Sequence, residues 1–233
     1  MRKLIFISAF FLGLICTAQE SHFTVYNFTV ESSDVSTVFK LFDDYFSSNK
    51  PADVAVSLYE NHFNDSGNNF THSVVFSGSL DAMGGMYSGV NNDTWNLFMS
   101  RLNQHMKDGF SSAMGRQISV HGEAGDYPFQ RYYLLDVNDM SKFISAHNTF
   151  NENHTVDGNL VAMGNIGVGH GPDGANVWVI SCFKDFKTAM GGASAILTEA
   201  QNKARDKAWS ERRANDGDVS LVRSGMRIQL KSW

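Results

Sequence analysis

The chain has 233 residues, with 19 Lys and Arg against 24 Asp and Glu, and two cysteines. The net charge of −5 provides no excess of the basic side chains that neutralise phosphates, so nucleic acid is not expected as a partner. One of these cysteines, Cys16, lies in an N-terminal segment that we expect to be cleaved off. The remaining cysteine then has no partner for an internal disulfide, so an apolar core is expected to hold the fold.

The first eighteen residues have the composition of a secretory signal peptide. Arg2 and Lys3 precede an apolar run that ends at Ile15, and small residues follow up to Ala18. The run is too short to cross a bilayer, and no later segment approaches the roughly 20 apolar residues of a spanning helix. We predict cleavage near Ala18 and a secreted or periplasmic protein without a membrane span. Cleavage removes two basic residues and lowers the net charge from −5 to −7. A lipid anchor on Cys16 is the less favoured alternative, because a large residue precedes it.

The first half of the remaining chain alternates strand and helix patterns. Strands are predicted where β-branched and aromatic residues alternate with polar ones, and helices where apolar residues recur every three or four positions. The predicted strands are residues 23–30, 54–59, 72–77 and 118–121. The predicted helices run from residue 35 to just before Pro51, from residue 82, and over residues 95–106.

The second half repeats this order. The predicted strands are residues 132–137, 160–168, 177–183 and 219–230, and the predicted helices are residues 139–150 and 189–213. Gly225 is expected to mark a bulge in the last strand. Asp34-Val35-Ser36 in the first half and Asp139-Met140-Ser141 in the second stand at the start of corresponding helices.

Both halves therefore have the element order β-α-β-β-α-β. We predict an α+β protein of two tandem ferredoxin-like repeats, residues 19–125 and 126–233, after a signal peptide at residues 1–18. The two helices of such a repeat cover one face of its sheet, and two repeats can bury their open faces against each other. The chain resembles the dimeric α+β barrel superfamily, as a fused pseudo-dimer, over nearly all of the mature length. For function, the resemblance implies the small monooxygenases of that superfamily as one precedent.

The four residues Ala-Met-Gly-Gly occur twice, at residues 82–85 and 189–192. Exposed amides at the start of a helix can bind an anion. Neither copy has the spacing or the Lys of a nucleotide-binding loop, and glycine also permits close packing of a helix on a sheet. We therefore interpret the pair as a duplicated packing contact.

A second duplication places a His three residues before an Asp in a predicted hairpin. The pairs are His62 with Asp65 and His170 with Asp173. A His beside a carboxylate can act as a base or bind a metal, although Asp is also an ordinary turn residue, and the turn interpretation is favoured. Strand alternation places each His on the same face as the apolar residues before it, such as Leu58. If that face forms the barrel interior, the two histidines lie at its two ends.

The remaining candidates are weaker. Tyr59, Glu60, Met163 and Trp178 are candidate ligand-binding residues that could line an interior cavity, although aromatic and Met residues on strands more often form core. Cys182 lies in an apolar run and is expected to be buried. The chain has no Cys/His metal motif, so no metal site and no cofactor are expected.

Three histidines on or near the predicted helices, together with one charged stretch, are expected on solvated surfaces. These are His105, His147, His154 and residues 203–213.

Two functions remain open. The first is a secreted or periplasmic protein that binds a small apolar ligand in a cleft between the sheets, or that has a structural role. The second is a cofactor-independent, monooxygenase-like enzyme in which His62 or His170 is the base and Asp65 or Asp173 orients it. An enclosed pocket of several hundred Å³ with a His in its wall would favour the enzyme or a haem-like ligand.

Overall fold

The structure is a computed structural model that describes residues 20–64, 67, 69–89, 92–169 and 174–233. The predicted signal peptide, with its cleavage point and Cys16, lies outside these residues. The strands are β1 (His22–Val30), β2 (Val54–Asn64), β3 (His72–Gly78), β4 (Met106–His121), β5 (Phe129–Val137), β6 (Asn159–Val168), β7 (Val177–Phe183) and β8 (Val219–Ser232). The helices are α1 (Val35–Asn49), α2 (Leu80–Ser88), α3 (Asp93–Leu102), α4 (Met140–His154), α5 (Phe186–Gly191) and α6 (Glu199–Ala214), and a 3₁₀ turn (Ala193–Ala195) follows α5.

The eight strands form a closed barrel in the order β1-β3-β2-β8-β5-β7-β6-β4. Within each repeat the fourth strand lies beside the first, followed by the third and the second, and each neighbouring pair is antiparallel. The repeats join twice, where β2 pairs with β8 and where β4 pairs with β6. This confirms the predicted tandem α+β barrel, in which the second strand of each repeat is protected by the fourth strand of the other.

The apolar faces of the strands point outward, towards the helices. Val56 and Leu58 of β2 belong to one buried cluster with Phe42 and Phe46 of α1. These α1 residues lie four positions apart and so share one face of the helix. The condition under which the two histidines would lie at the ends of the barrel interior is therefore not met for β2, whose apolar face points outward. Alternation along a strand defines two faces, and here the helices cover the more apolar one.

The barrel interior is more polar and joins the two repeats. Asn27 donates to Ser111 at 2.9 Å and accepts from Ser73 at 2.7 Å. The guanidinium of Arg227 in β8 lies 3.9 Å from the centre of the Tyr59 ring in β2. The Asn27 hydrogen bonds lie within the first repeat, whereas the Arg227–Tyr59 contact crosses from one repeat to the other.

Strand β4 is much longer than predicted. It covers sixteen residues, whereas the sequence predicted only its last four, and α3 ends at Leu102 rather than at Met106. Most of β4 is exposed and contains glycine and serine, so no alternating apolar pattern marks it. Its hydrogen bonds to β1 and β6 define it, and these depend on tertiary pairing.

The predicted long helix at residues 189–213 is instead two helices and a turn. Gly192 has φ +67°, a backbone conformation that ends α5 and that favours glycine. A new helix begins after Thr198, whose side chain and that of Gln201 form a reciprocal capping box. The two signals together divide the segment.

The two Ala-Met-Gly-Gly copies occupy different helical positions. Counted from the capping residues Ser79 and Asp185, Met83 corresponds to Ala189, and both are buried. A Cβ atom added at residue 84 or 85 meets no atom within 4 Å, so these glycines are not required for close packing. The packing interpretation is therefore wrong for the first copy. In the second, a Cβ on Gly191 would lie 2.5 Å from the side chain of Ala195.

In the described part of the chain, no helix is long and apolar enough to span a membrane.

Candidate functional site

A cavity of about 750 Å³ lies in the first repeat, between the outer face of the sheet and helices α1, α2 and α3. Ten of the described residues that line it are aromatic, and none is Asp, Glu, Lys, Arg or His. The aromatic members are Tyr26, Phe28, Phe42, Tyr45, Phe46, Phe76, Tyr87, Trp95, Phe98 and Phe110. Such an uncharged cavity suits an apolar, ring-containing molecule.

Helices α1 and α3 supply a packed aromatic wall. Tyr45 of α1 stacks on Phe98 of α3 with ring centres 4.5 Å apart, and Phe98 meets the edge of Phe42 at 5.4 Å. The other side is bounded by α2, where Gly85 and Met86 line the cavity. Helix α2 has only nine residues, and Tyr26 on the sheet face beneath the helices is 39% exposed.

Two tyrosines of the cavity wall, Tyr26 and Tyr87, form a hydroxyl chain with the neighbouring Thr24, and asparagine and serine residues also line the cavity. The Tyr87 hydroxyl donates to Thr24 Oγ1 at 2.9 Å and lies 2.6 Å from the Tyr26 hydroxyl. Since Tyr87 uses its proton on Thr24, Tyr26 donates to Tyr87, and the Tyr26 oxygen remains able to accept. Burial, and then its hydrogen bond to Tyr87, raise the pKa of Tyr26, so its hydroxyl stays protonated near neutral pH.

The predicted catalytic residues are only partly described by the structure. His62 is exposed near the end of β2, and its Nε2 lies 3.5 Å from Glu60 Oε2. Asp65, His170 and Asp173 lie outside the described residues. His62 does not line the aromatic cavity, and it stands where the pairing of β2 with β8 shifts register. Catalysis by these residues stays a prediction.

The four predicted ligand-binding residues are divided between the two faces of the barrel wall. Tyr59 and Trp178 point into the barrel, where Trp178 meets Phe23 of the other repeat at 5.5 Å. Met163 is fully buried in the outer apolar cluster of the second repeat, and Glu60 is half-buried beside His62. None of the four lines the aromatic cavity.

Two histidines are buried that the sequence did not lead us to expect, and one cysteine is buried as predicted. His147, predicted to lie on the surface, is 1% exposed, and burial, with a smaller effect of Arg212, lowers its pKa to about 3. His72 is equally buried, and burial lowers its pKa as well. The prediction that Cys182 is buried is confirmed, and burial raises the pKa of its thiol to about 12. Phe70 and Val74, two positions to either side of His72, are the sequence signal for its burial.

Within the residues that the structure describes, no group of three or more His, Cys, Asp or Glu side chains is placed to hold a metal ion.

Known proteins resemble this chain in structure rather than in sequence. No protein-family model and no curated protein matches it. A candidate monooxygenase from Fusobacterium nucleatum subsp. nucleatum ATCC 25586 is 16% identical, with a TM-score of 0.59 over 92% of this chain and 94% of that one. A candidate monooxygenase from Lactobacillus acidophilus NCFM is 13% identical, with a TM-score of 0.58 over 91% and 100%. A mutant of chlorite dismutase from Candidatus Nitrospira defluvii is 10% identical, with a TM-score of 0.53 over 91% of each chain. At these identities the likeness shows the fold alone.

Proposed function

The chain has the fold of the dimeric α+β barrel superfamily, and on this fold we propose that it binds a small, uncharged, aromatic molecule in the cavity of the first repeat. The single observation that carries this proposal is a wall of ten aromatic side chains without a charged residue. Each aromatic ring placed against such a wall removes apolar surface from water, which favours binding.

The hydroxyl chain defines the polar end of the ligand. The Tyr26 oxygen can accept a hydrogen bond, so a ligand with a hydroxyl or amine donor on its ring system matches the cavity better than a pure hydrocarbon. A neutral hydrogen bond of this kind contributes about 1 kcal/mol, or roughly fivefold in affinity.

The test is a fluorescence titration with 1-aminoanthracene, a neutral aromatic amine. We expect saturable binding by the wild type. Gly85→Leu places a side chain in the cavity and should weaken binding at least tenfold, whereas Gly84→Leu is the matched control. Both glycines lie in α2 with no atom within 4 Å of an added Cβ, but only Gly85 lines the cavity. Equal effects of the two substitutions would place the probe elsewhere and contradict the proposal.

The alternative function is a monooxygenase-like enzyme with a His base. This alternative is supported by two of the similar structures, which are named as candidate monooxygenases. Against it, His62 does not line the aromatic cavity. We therefore rank binding first. If the bound probe is recovered from aerated solution with unchanged mass, binding is favoured over oxidation. A gain of one oxygen atom that depends on His62 would reverse this order. A purely structural role predicts no saturable binding of the probe.

We also propose that the protein is exported. The support is the basic, apolar and small-residue pattern of the first eighteen residues. The intact mass of the protein recovered from its host should equal that of a chain that begins at Gln19. A lipid-modified species that begins at Cys16 would support the anchored alternative, and an unprocessed chain would contradict both.

A further inference from the structure

A different surface of the molecule, between α4 and α6 of the second repeat, contains a half-buried arginine. Arg212 of α6 lies 4.4 Å from the centre of the Trp209 ring and 5.5 Å from that of Phe143. Its Nη2 lies 3.4 Å from Nδ1 of the buried His147, and its Nε is buried without a hydrogen-bond partner. The guanidinium is thus held between aromatic rings and one imidazole.

Among the described residues, no carboxylate forms an ion pair with Arg212. Asp216 attracts Arg212 electrostatically without a direct contact, and the acidic groups of this region pair with other cations. Asp216 pairs with Arg213 at 3.1 Å, and Glu211 lies 3.8 Å from Lys207. Burial lowers the pKa of Arg212 to about 10, so the side chain still carries its charge at neutral pH. A partly buried charge without a carboxylate in direct contact is costly, and natural proteins usually supply one.

Arg212 lines a cavity of about 620 Å³ whose wall offers further groups suited to an anion. Lys142, whose Nζ also pairs with Asp139 at 3.0 Å, adds a second cation, and Ser145 and Thr149 of α4 add hydroxyl donors. Phe150 and two alanines supply an apolar wall, and Glu211 is the one acidic residue of this lining. The aromatic cavity of the first repeat has no charged side chain, so the two cavities favour ligands of different chemistry.

We propose that the cavity between α4 and α6 binds a small oxyanion, a carboxylate or a phosphate, through Arg212. The planar guanidinium fork matches both groups, because each presents two oxygens at the spacing of two N–H donors. The lowered pKa of His147 keeps its imidazole neutral, and Nδ1 accepts from the guanidinium, which can only donate. This proposal does not depend on the binding proposed for the first repeat.

The test measures thermal unfolding of the full protein in sodium phosphate and in sodium benzoate, against sodium chloride of equal ionic strength. A ligand at about 100 times its Kd should raise the Tm by about 5 to 10 °C and saturate. Arg212→Met should abolish this rise. Arg205→Met is the matched control, because Arg205 also lies in α6 and over Phe150, at 5.0 Å, but does not line the cavity.

Each outcome decides the proposal. A rise with benzoate alone assigns a carboxylate ligand, and a rise with phosphate alone assigns a phosphate. No saturable rise with either salt, or an equal rise in Arg212→Met, overturns it. If Arg212→Met does not fold, the wild type is titrated by NMR. The Trp209 indole N–H should then shift saturably with one of the two anions, and its constancy would equally overturn the proposal.

Discussion

The outer helix layers of the two repeats cover equivalent sheet faces but are filled in different ways. In the first repeat, α3 inserts Phe98 and Leu102 into the apolar cluster and leaves an aromatic cavity beside them. In the second repeat, α6 has no buried residue. It contacts α4 through Trp209 against Phe150, at 5.2 Å, and through arginine side chains.

This difference shows that two repeats with the same order of strands need not have the same binding site. The barrel determines which sheet faces the helices cover, since the strands pair in the same order in both repeats. The positions where helices are interrupted, and the side chains beneath them, can differ between the repeats. Each helix layer has only to cover the sheet face of its own repeat. The ligands proposed for the two layers differ accordingly, a neutral aromatic molecule for the first and an anion for the second.

The largest expected effect tests whether the second layer is well packed beneath α4. Phe143 is 1% exposed in a cluster with Met163 and Val177. Phe143→Ala should lower the free energy of unfolding by about 3 to 5 kcal/mol, measured by chemical denaturation, because it leaves a cavity. Leu97→Ala on the exposed face of α3 should change it by only about 0.5 kcal/mol. A similar small loss at both sites would show that the layer beneath α4 is loosely packed.

The next prediction is that His147, beneath the second helix layer, makes the stability of the protein depend on pH. The aromatic cavity of the first layer is lined by no His and makes no such contribution. The pKa of His147 is lowered from 6.5 to about 3 in the folded protein, chiefly by burial. Between these values the unfolded chain binds a proton that the folded chain does not. As the pH is lowered below about 6, the free energy of unfolding should therefore decrease by about 1.4 kcal/mol per pH unit.

The substitution His147→Gln should remove this contribution. Denaturation midpoints at several pH values should show a shallower slope for the variant, while the buried His72 continues to contribute in the same direction. Phe42→Leu in α1 is the control, because it lowers stability at a buried site of the other repeat and leaves the surroundings of His147 unchanged. An unchanged slope in His147→Gln would contradict the assignment.

A third comparison adds volume to each layer. Met163 is fully buried, and Met163→Phe should cost about 1 to 3 kcal/mol through overpacking. Met86 lines the aromatic cavity, so Met86→Phe should cost less, under about 1 kcal/mol, and should weaken binding of 1-aminoanthracene. Equal costs by denaturation would indicate that the cavity is not available to a ligand.

The smallest effects compare the glycines of the two Ala-Met-Gly-Gly copies. Gly85→Ala should stabilise the protein by about 0.5 to 1 kcal/mol, because alanine favours the helix and the added Cβ meets nothing. Gly192→Ala should destabilise it by about 1 kcal/mol or more, because Gly192 has φ +67°. Opposite changes in thermal midpoint are expected. Changes of the same sign would contradict the different roles of the two copies.

Much of the fold could be predicted from local patterns. The apolar, β-branched run of β7 and the helical period of Val38, Phe42 and Phe46 on α1 identify their elements, because each residue's neighbours along the chain determine the pattern. The limits of β4 could not be predicted, because its pairing with β1 and β6, rather than burial, defines it. The split between α5 and α6 depends on the backbone at Gly192, which the helical pattern did not reveal.

The sequence by itself determined the order of elements, the duplication and the resemblance to a fused α+β barrel. Only the tertiary structure decided that β2 turns Val56 and Leu58 outward, and that Tyr26 meets Tyr87 across sixty-one positions of the chain. It also buried His147 beside Arg212, sixty-five positions away. Local patterns report which residues share a face. Which faces meet, and what space remains between them, depends on packing between segments far apart in the chain.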